Sequence, residues 1–166
     1  MAKAKHFHFF LLVFAVVFAD QVTKSLIVNH FLLGEALAVI PGFFNLTYIR
    51  NTGVAFGMFA RGDDSIRLFL LVVPSAVTVG LLVFYLRLAK EDLWRRLAVC
   101  FILGGAVSNL LDRFRLGYVV DFLDFHWRGQ AHYPSFNLAD AFICIGVGVL
   151  FLVTQTCDKT KPVANV

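Results

Sequence analysis

From Leu93 to Asp112 the chain reads LWRRLAVCFILGGAVSNLLD: a basic start, an apolar run, then an Asn and an Asp three residues apart. About 20 apolar residues in a helix cross a hydrocarbon core near 30 Å thick, so this stretch is read as a membrane span. An aspartate costs roughly 2.5–3.5 kcal/mol at the centre of such a helix and marks a functional hypothesis by default. The pattern recurs in mirror order at Asn137-Leu138-Ala139-Asp140, where the acid opens an apolar run instead of closing one.

Working outward, four segments approach spanning length: roughly residues 7–28, 66–86, 93–111 and 138–155. The composition agrees, with 59% of the 166 residues hydrophobic and 16% charged, and a mean hydropathy of +0.77. Such a chain is an integral membrane protein, and no long polar tract leaves room for a separate soluble domain. The reading is one domain over residues 1–166, mainly α, with four transmembrane helices. The net charge of +4 is distributed by topology, so nucleic acid is not an expected partner.

Lys3 and Lys5 precede an apolar run as in a signal peptide, but Val17-Phe18-Ala19 offers no small-x-small cleavage site, and an uncleaved span is expected. Basic residues in short loops mark the cytoplasmic side. Lys3 and Lys5, the group Arg87, Lys90, Arg95 and Arg96, and Lys159 with Lys161 then put both termini in the cytoplasm. The long connections lie on the outer side. Span three runs outward to Asp112 and span four starts inward at Asp140, so both acids reach one depth near the outer surface. Asp20 and Lys24, in the outer half of span one, reach it too.

Between spans one and two, residues 29–65 change character. Apolar β-formers are broken by Pro41-Gly42 and by Asn51-Thr52-Gly53, which reads as a small extracytoplasmic β layer. It is either an aromatic anchoring belt or a surface that takes an extended peptide as an added strand. Residues 54–60 are apolar but too short to span, and read as a surface helix. Gly53 suits a turn or a close backbone approach, and Asn51 offers both donors and an acceptor. Gly104, Gly105, Ala106 and Ser108 give span three a small-residue face for close packing, with Gly146 and Gly148 doing the same for span four. Cys100, Cys144 and Cys157 lack CxxC spacing and read as small core residues. No HExxH or His-rich cluster appears, so neither a metal nor another cofactor is expected.

Residues three apart share a helix face, so Asn109 would orient Asp112 and Asn137 would orient Asp140. Two carboxyl groups brought together share one proton. The ionised member activates water as general base, and the protonated member serves as acid to the leaving amine. No GxSxG or Ser/His/Asp grouping competes. The spacing is equally compatible with Asp112 paired to Arg113 or Arg115 and Asp140 capping span four. A proton or ion relay is a third possibility, opposed by the lack of a polar path through the inner halves of the spans.

Five motifs in order carry a resemblance over nearly the whole chain: Asp20-Gln21-Val22-Thr23-Lys24; Asn51-Thr52-Gly53-Val54-Ala55-Phe56; Gly104 to Arg113; Val119-Val120-Asp121-Phe122; and Phe136-Asn137-Leu138-Ala139-Asp140. The chain resembles the lipoprotein signal peptidase (signal peptidase II) family of bacterial inner membranes. The resemblance implies an aspartic endopeptidase, acting as a monomer on diacylglyceryl prolipoproteins approaching through membrane lipid. It would cut before the lipidated cysteine and be blocked by globomycin-like peptides. By this match Asp112 and Asp140 are the catalytic dyad, while Asp20, Lys24, Asn51, Gly53, Gly105, Asn109, Arg113, Asp121 and Asn137 position substrate or support the site. Ser108 and Val54 stand where the family often has Gly and Ala.

Overall fold

The structure is a computed structural model that describes residues 2–53, 64–89, 92–127 and 131–158. Four helices, α1 (Ala2–His30), α2 (Asp64–Arg87), α3 (Leu93–Leu116) and α4 (Leu138–Asp158), are joined by β1 (Ala36–Ile40), β2 (Phe44–Asn51), β3 (Val119–Trp127) and β4 (Ala131–His132). Each helix is long and apolar enough to cross a membrane, and the chain is a multi-pass membrane protein. The expected surface helix at residues 54–60 lies outside the described residues.

The span carrying the opening stretch is the central helix. Of its apolar window 61% is buried, against 6% for α2, because its small residues admit neighbours at backbone distance. A Cβ on Gly105 would stand 2.4 Å from the carbonyl oxygen of Ala139 on α4, and one on Gly104 would stand 2.6 Å from Val16 on α1. Gly146 completes the α3–α4 contact, where a Cβ would meet the Ala98 carbonyl. Gly148 faces open space and takes no part in the packing. Cys100 is buried in the core, but Cys144 is exposed. Phe14, Phe18, Leu68, Phe69, Phe151 and Leu152 point outward, as side chains facing lipid tails do in a membrane.

Two boundaries differ from the sequence reading. Helix α3 continues past Asp112 to Leu116 and ends where Gly117, at φ 82°, donates its amide to the Arg113 carbonyl. Asp112 is therefore inside the last turns and not at the tip. The β layer, expected only between spans one and two, is completed by the connection between spans three and four. The sheet order is β1-β2-β3-β4. The β1–β2 hairpin turns at Pro41-Gly42, with the Phe43 amide donating to the Ile40 carbonyl at 3.0 Å, and β2 pairs antiparallel with β3. The sheet packs Tyr48, Val120 and Phe122 against Ile27 near the end of α1. That contact holds β3 over the end of the bundle where α1, α3 and α4 converge.

Candidate active site

At this end seven buried polar residues form one network. Asp20, Lys24, Ser108, Asn109, Asp112, Asp121 and Asn137 are all buried. Lys24 lies one turn after Asp20 and pairs with it at 2.7 Å. The same ammonium reaches Asp112 Oδ2 at 2.8 Å and donates to Asn109 Oδ1 at 2.8 Å. Asp20 also accepts from the Ser108 hydroxyl at 2.7 Å and from the Ala139 backbone amide at 2.8 Å. That amide belongs to the first turn of α4, whose N–H groups lack partners within the helix. An acid on α1 thus caps α4 while holding the lysine.

Asp112 has a full set of partners. Besides Lys24, Oδ1 accepts from the Gln21 amide at 2.8 Å and Oδ2 from the Val120 backbone amide at 3.2 Å. The pairing allowed with Arg113 or Arg115 is replaced by Lys24, which reaches it across the α1–α3 interface. Arg113 is half-buried in the last turn of α3 and uses its carbonyl to receive the Gly117 cap.

The expected match of Asn109 to Asp112 is also corrected. Asn109 projects across to α4 and donates its amide to Asp140 Oδ1 at 2.7 Å. Asn137 and Asp140 form a reciprocal cap: the Asp140 amide donates to Asn137 Oδ1 at 3.0 Å, and the Asn137 amide donates to Asp140 Oδ2 at 3.3 Å. This is a capping box built from Asn and Asp. The cap fixes the Asp140 carboxylate at the helix start without matching its charge.

The Asn137 side chain bridges three groups. Its Nδ2 donates to Asp121 Oδ1 at 2.8 Å and to Asn109 Oδ1 at 3.2 Å, while its Oδ1 serves Asp140. Asp121, set between Val120 and Phe122 on β3, takes its second amide from Asn51 Nδ2 on β2 at 2.8 Å. Asn51 is itself set by the Gly53 amide, which donates to its Oδ1 at 2.8 Å. Gly53 sits at φ +79°, a backbone region that side chains rarely tolerate. The Asn51-Thr52-Gly53 turn therefore works as a mount for Asp121.

Burial pushes the Asp121 carboxyl up to about 6, against the lowering effect of its two amide donors, and the negative charge of Asp140 adds to the rise. Asn137 links the two acids, donating its side-chain amide to Asp121 and its backbone amide to Asp140. Four carboxyl groups, from Asp20, Asp112, Asp121 and Asp140, share this network with one ammonium, that of Lys24. Two of the four touch the ammonium directly; the other two have only neutral amide donors. No cluster of metal-ligating side chains occurs among the described residues.

Sequence reasoning passed over Gln21 and Ser108. Gln21 donates to the Ser108 hydroxyl at 3.0 Å as well as to Asp112, so Ser108 is a hydrogen-bonded part of the network and more than a packing variant. The signal was available in the polar positions Asp20, Gln21 and Lys24 on one turn of an otherwise apolar helix. Val54, the other departure, lies outside the described residues.

These features define a class: a polytopic helical membrane protein with a carboxylate cluster buried between its helix ends and a small sheet. Comparison with known proteins narrows the class. The family profile described as Signal peptidase (SPase) II matches residues 12–156. The chain is 48% identical over 151 residues to the lipoprotein signal peptidase of Syntrophotalea carbinolica, covering 90% of this chain and 92% of that protein. It is 41% identical over 162 residues to that of Shewanella loihica, covering 96% and 92%. A solved bacterial membrane enzyme superposes with a TM-score of 0.81 at 31% identity, covering 96% of this chain and 94% of the other. The chain belongs to the signal peptidase II family, a family of peptidases.

Proposed function

We propose that this protein is an aspartic endopeptidase that removes signal peptides from diacylglyceryl prolipoproteins, cutting before the lipidated cysteine, and that its acid–base pair is Asp121 with Asp140. The observation that carries the pairing is Asn137, which donates its side-chain amide to the Asp121 carboxylate and its backbone amide to the Asp140 carboxylate and matches the charge of neither. The pair expected from spacing, Asp112 with Asp140, is revised here on physical grounds. Asp112 already faces an ammonium and two N–H donors, so both of its oxygens are committed to partners within the chain. Asp112 instead anchors Lys24, which holds Asn109 against Asp140.

In this reading the pair holds one proton, because two facing carboxyl groups in a buried site resist a second charge. The ionised member takes a proton from water as it attacks the scissile carbonyl. Asp121, whose carboxyl is pushed up to about 6, gives its proton to the leaving amide nitrogen. No covalent intermediate is needed. Asn51 and Asn137 hold the two Asp121 oxygens in place, Gly53 keeps Asn51 in place, and Gly105 lets α4 come close enough to α3 to present Asp140. Asp20 and Lys24 bind the three helices together at this depth. Arg113, with no ion pair or side-chain hydrogen bond among the described residues, is free to receive a substrate backbone carbonyl.

The basic residues at one end of the bundle support a bacterial inner-membrane location with both termini cytoplasmic and the sheet on the outer side. A lipidated precursor then reaches the carboxylates from the outer leaflet, the chain acts as a monomer, and globomycin-like peptides compete at the pair. The test is cleavage of a purified diacylglyceryl prolipopeptide against its unlipidated form. Cleavage of the lipidated peptide before cysteine, inhibited by globomycin, is expected. Ion flux in sealed vesicles without peptide cleavage would support a relay instead.

A further inference from the structure

The opposite end of the bundle holds a second feature, outside the carboxylate network. A cavity of about 230 Å³ opens between the start of α1, the end of α2 and the start of α3, lined by Phe9, Leu12, Tyr85, Leu97 and Cys100, with Arg96 at its edge. It lies far from the carboxylates: along α3, thirteen residues from Arg96 to Asn109 correspond to about 20 Å. In a chain that spans the bilayer the two features belong to different leaflets.

Apart from His8, Arg96 and the Tyr85 hydroxyl, the walls are apolar. Phe9 stacks on Tyr85 with ring centroids 3.7 Å apart, and Tyr85, Val99, Cys100 and Leu103 form a buried cluster with Phe9. Arg96 supplies the one strong charge. Its guanidinium lies 4.6 Å from the centre of the Tyr85 ring and donates to the Tyr85 hydroxyl, which fixes its direction. The neighbouring Arg95 is matched by Asp92 at 2.7 Å, whereas Arg96 has no carboxylate at ion-pair distance among the described residues. A half-buried, oriented guanidinium without an anion beside an apolar cavity is complementary to a molecule with a negative head and a hydrocarbon chain. The cavity falls below the size of pockets that enclose a whole small ligand, so it suits a segment of one chain, with the rest in the bilayer.

We propose that this cavity holds an acyl chain of an anionic phospholipid from the leaflet opposite the carboxylates, with the headgroup phosphate paired to Arg96. The lipid would tie α2, the least buried helix, to α1 and α3.

Native mass spectrometry of the purified full chain, delipidated and then titrated with dioleoyl phosphatidylglycerol or dioleoyl phosphatidylcholine, tests the site. Phosphatidylglycerol is expected to bind about tenfold more tightly, because its headgroup is net negative whereas the choline cation of phosphatidylcholine offsets the attraction of its phosphate to Arg96. Arg96→Gln should abolish that preference, whereas Arg87→Gln, which removes an exposed charge at the same end, should leave it. Leu93→Trp, at the rim of the cavity, should weaken binding of both lipids, and it serves as the second probe if Arg96→Gln misfolds. Inorganic phosphate alone should give no thermal shift. Equal binding of the two lipids, a preference that survives Arg96→Gln, loss of preference in Arg87→Gln as well, or binding untouched by Leu93→Trp would overturn the proposal. None of these readouts depends on peptide cleavage, so the proposal and the peptidase reading fail separately.

Discussion

The two ends of α3 are built on opposite principles. Around Val99, Cys100 and Leu103 the helix is held by close-packed apolar and aromatic side chains. Around Ser108, Asn109 and Asp112, little more than a turn beyond Leu103, it is held by hydrogen bonds and one lysine. An apolar interface tolerates a lost contact gradually, since its energy is spread over many weak contacts. A buried polar network does not, because each broken bond strands a partner. Under the proposed function the polar end carries the chemistry and the apolar end the assembly, and substitutions at the two should fail differently.

The largest expected effect is at the polar end. Asp140→Asn should lower kcat by about 10²–10⁴-fold, the range for loss of a general acid or base. Because Asn keeps the cap's oxygen acceptor, thermal unfolding in detergent should move little. Asp112→Asn should reverse that balance. It removes one of two acids facing Lys24, so a stability loss on the order of 3 kcal/mol is expected, with activity falling largely in step with the folded fraction.

Gly105→Ala pushes a Cβ to 2.4 Å from the Ala139 carbonyl, a backbone clash that no rotamer relieves. Stability and activity should fall together, by about 1–3 kcal/mol in stability. Gly53→Val should cost about 1–3 kcal/mol locally but lower kcat/KM by more than that strain implies, because it turns Asn51 away from Asp121. Equal losses would mean the turn is only structural.

The smallest effect is on pH dependence. The Asp121 carboxyl lies above its unfolded value of 3.8, at about 6. Its contribution to stability is therefore full below pH ~4 and is lost as pH rises through ~6, a fall that should flatten in Asp121→Asn. The same proton loss should give kcat/KM a descending limb near that pH, with an apparent value belonging to the pair.

Much of this architecture was legible in the sequence because its signals are local. Four apolar runs gave the four helices, and Pro41-Gly42 gave the hairpin. The extra turns of α3 depend on Gly117, whose capping role shows only in its backbone angle. Strand β3 is rich in β-formers from Val119 to Trp127, yet its partner β2 lies some 70 residues away, and such pairing leaves no trace in nearby spacing. On the proposed reading, that omission left Asp121 out of the acid pair. With Asp121 assigned to a loop, the two acids with Asn three residues earlier were the natural pair. The i, i+3 relation puts Asn109 and Asp112 on one face but does not say that they bond to each other. Packing against α1 gave Asp112 to Lys24 and Asn109 to Asp140.

The central claim is that the acid partner of Asp140 comes from the sheet and not from α3. The most direct measurement compares Asp121→Asn with Asp112→Asn on a diacylglyceryl prolipopeptide, with rates normalised to folded protein. The account predicts background cleavage for Asp121→Asn at near wild-type stability, and measurable turnover for the folded fraction of Asp112→Asn. Near wild-type cleavage by Asp121→Asn, with a folded but inactive Asp112→Asn, would contradict it and return the dyad to Asp112 and Asp140.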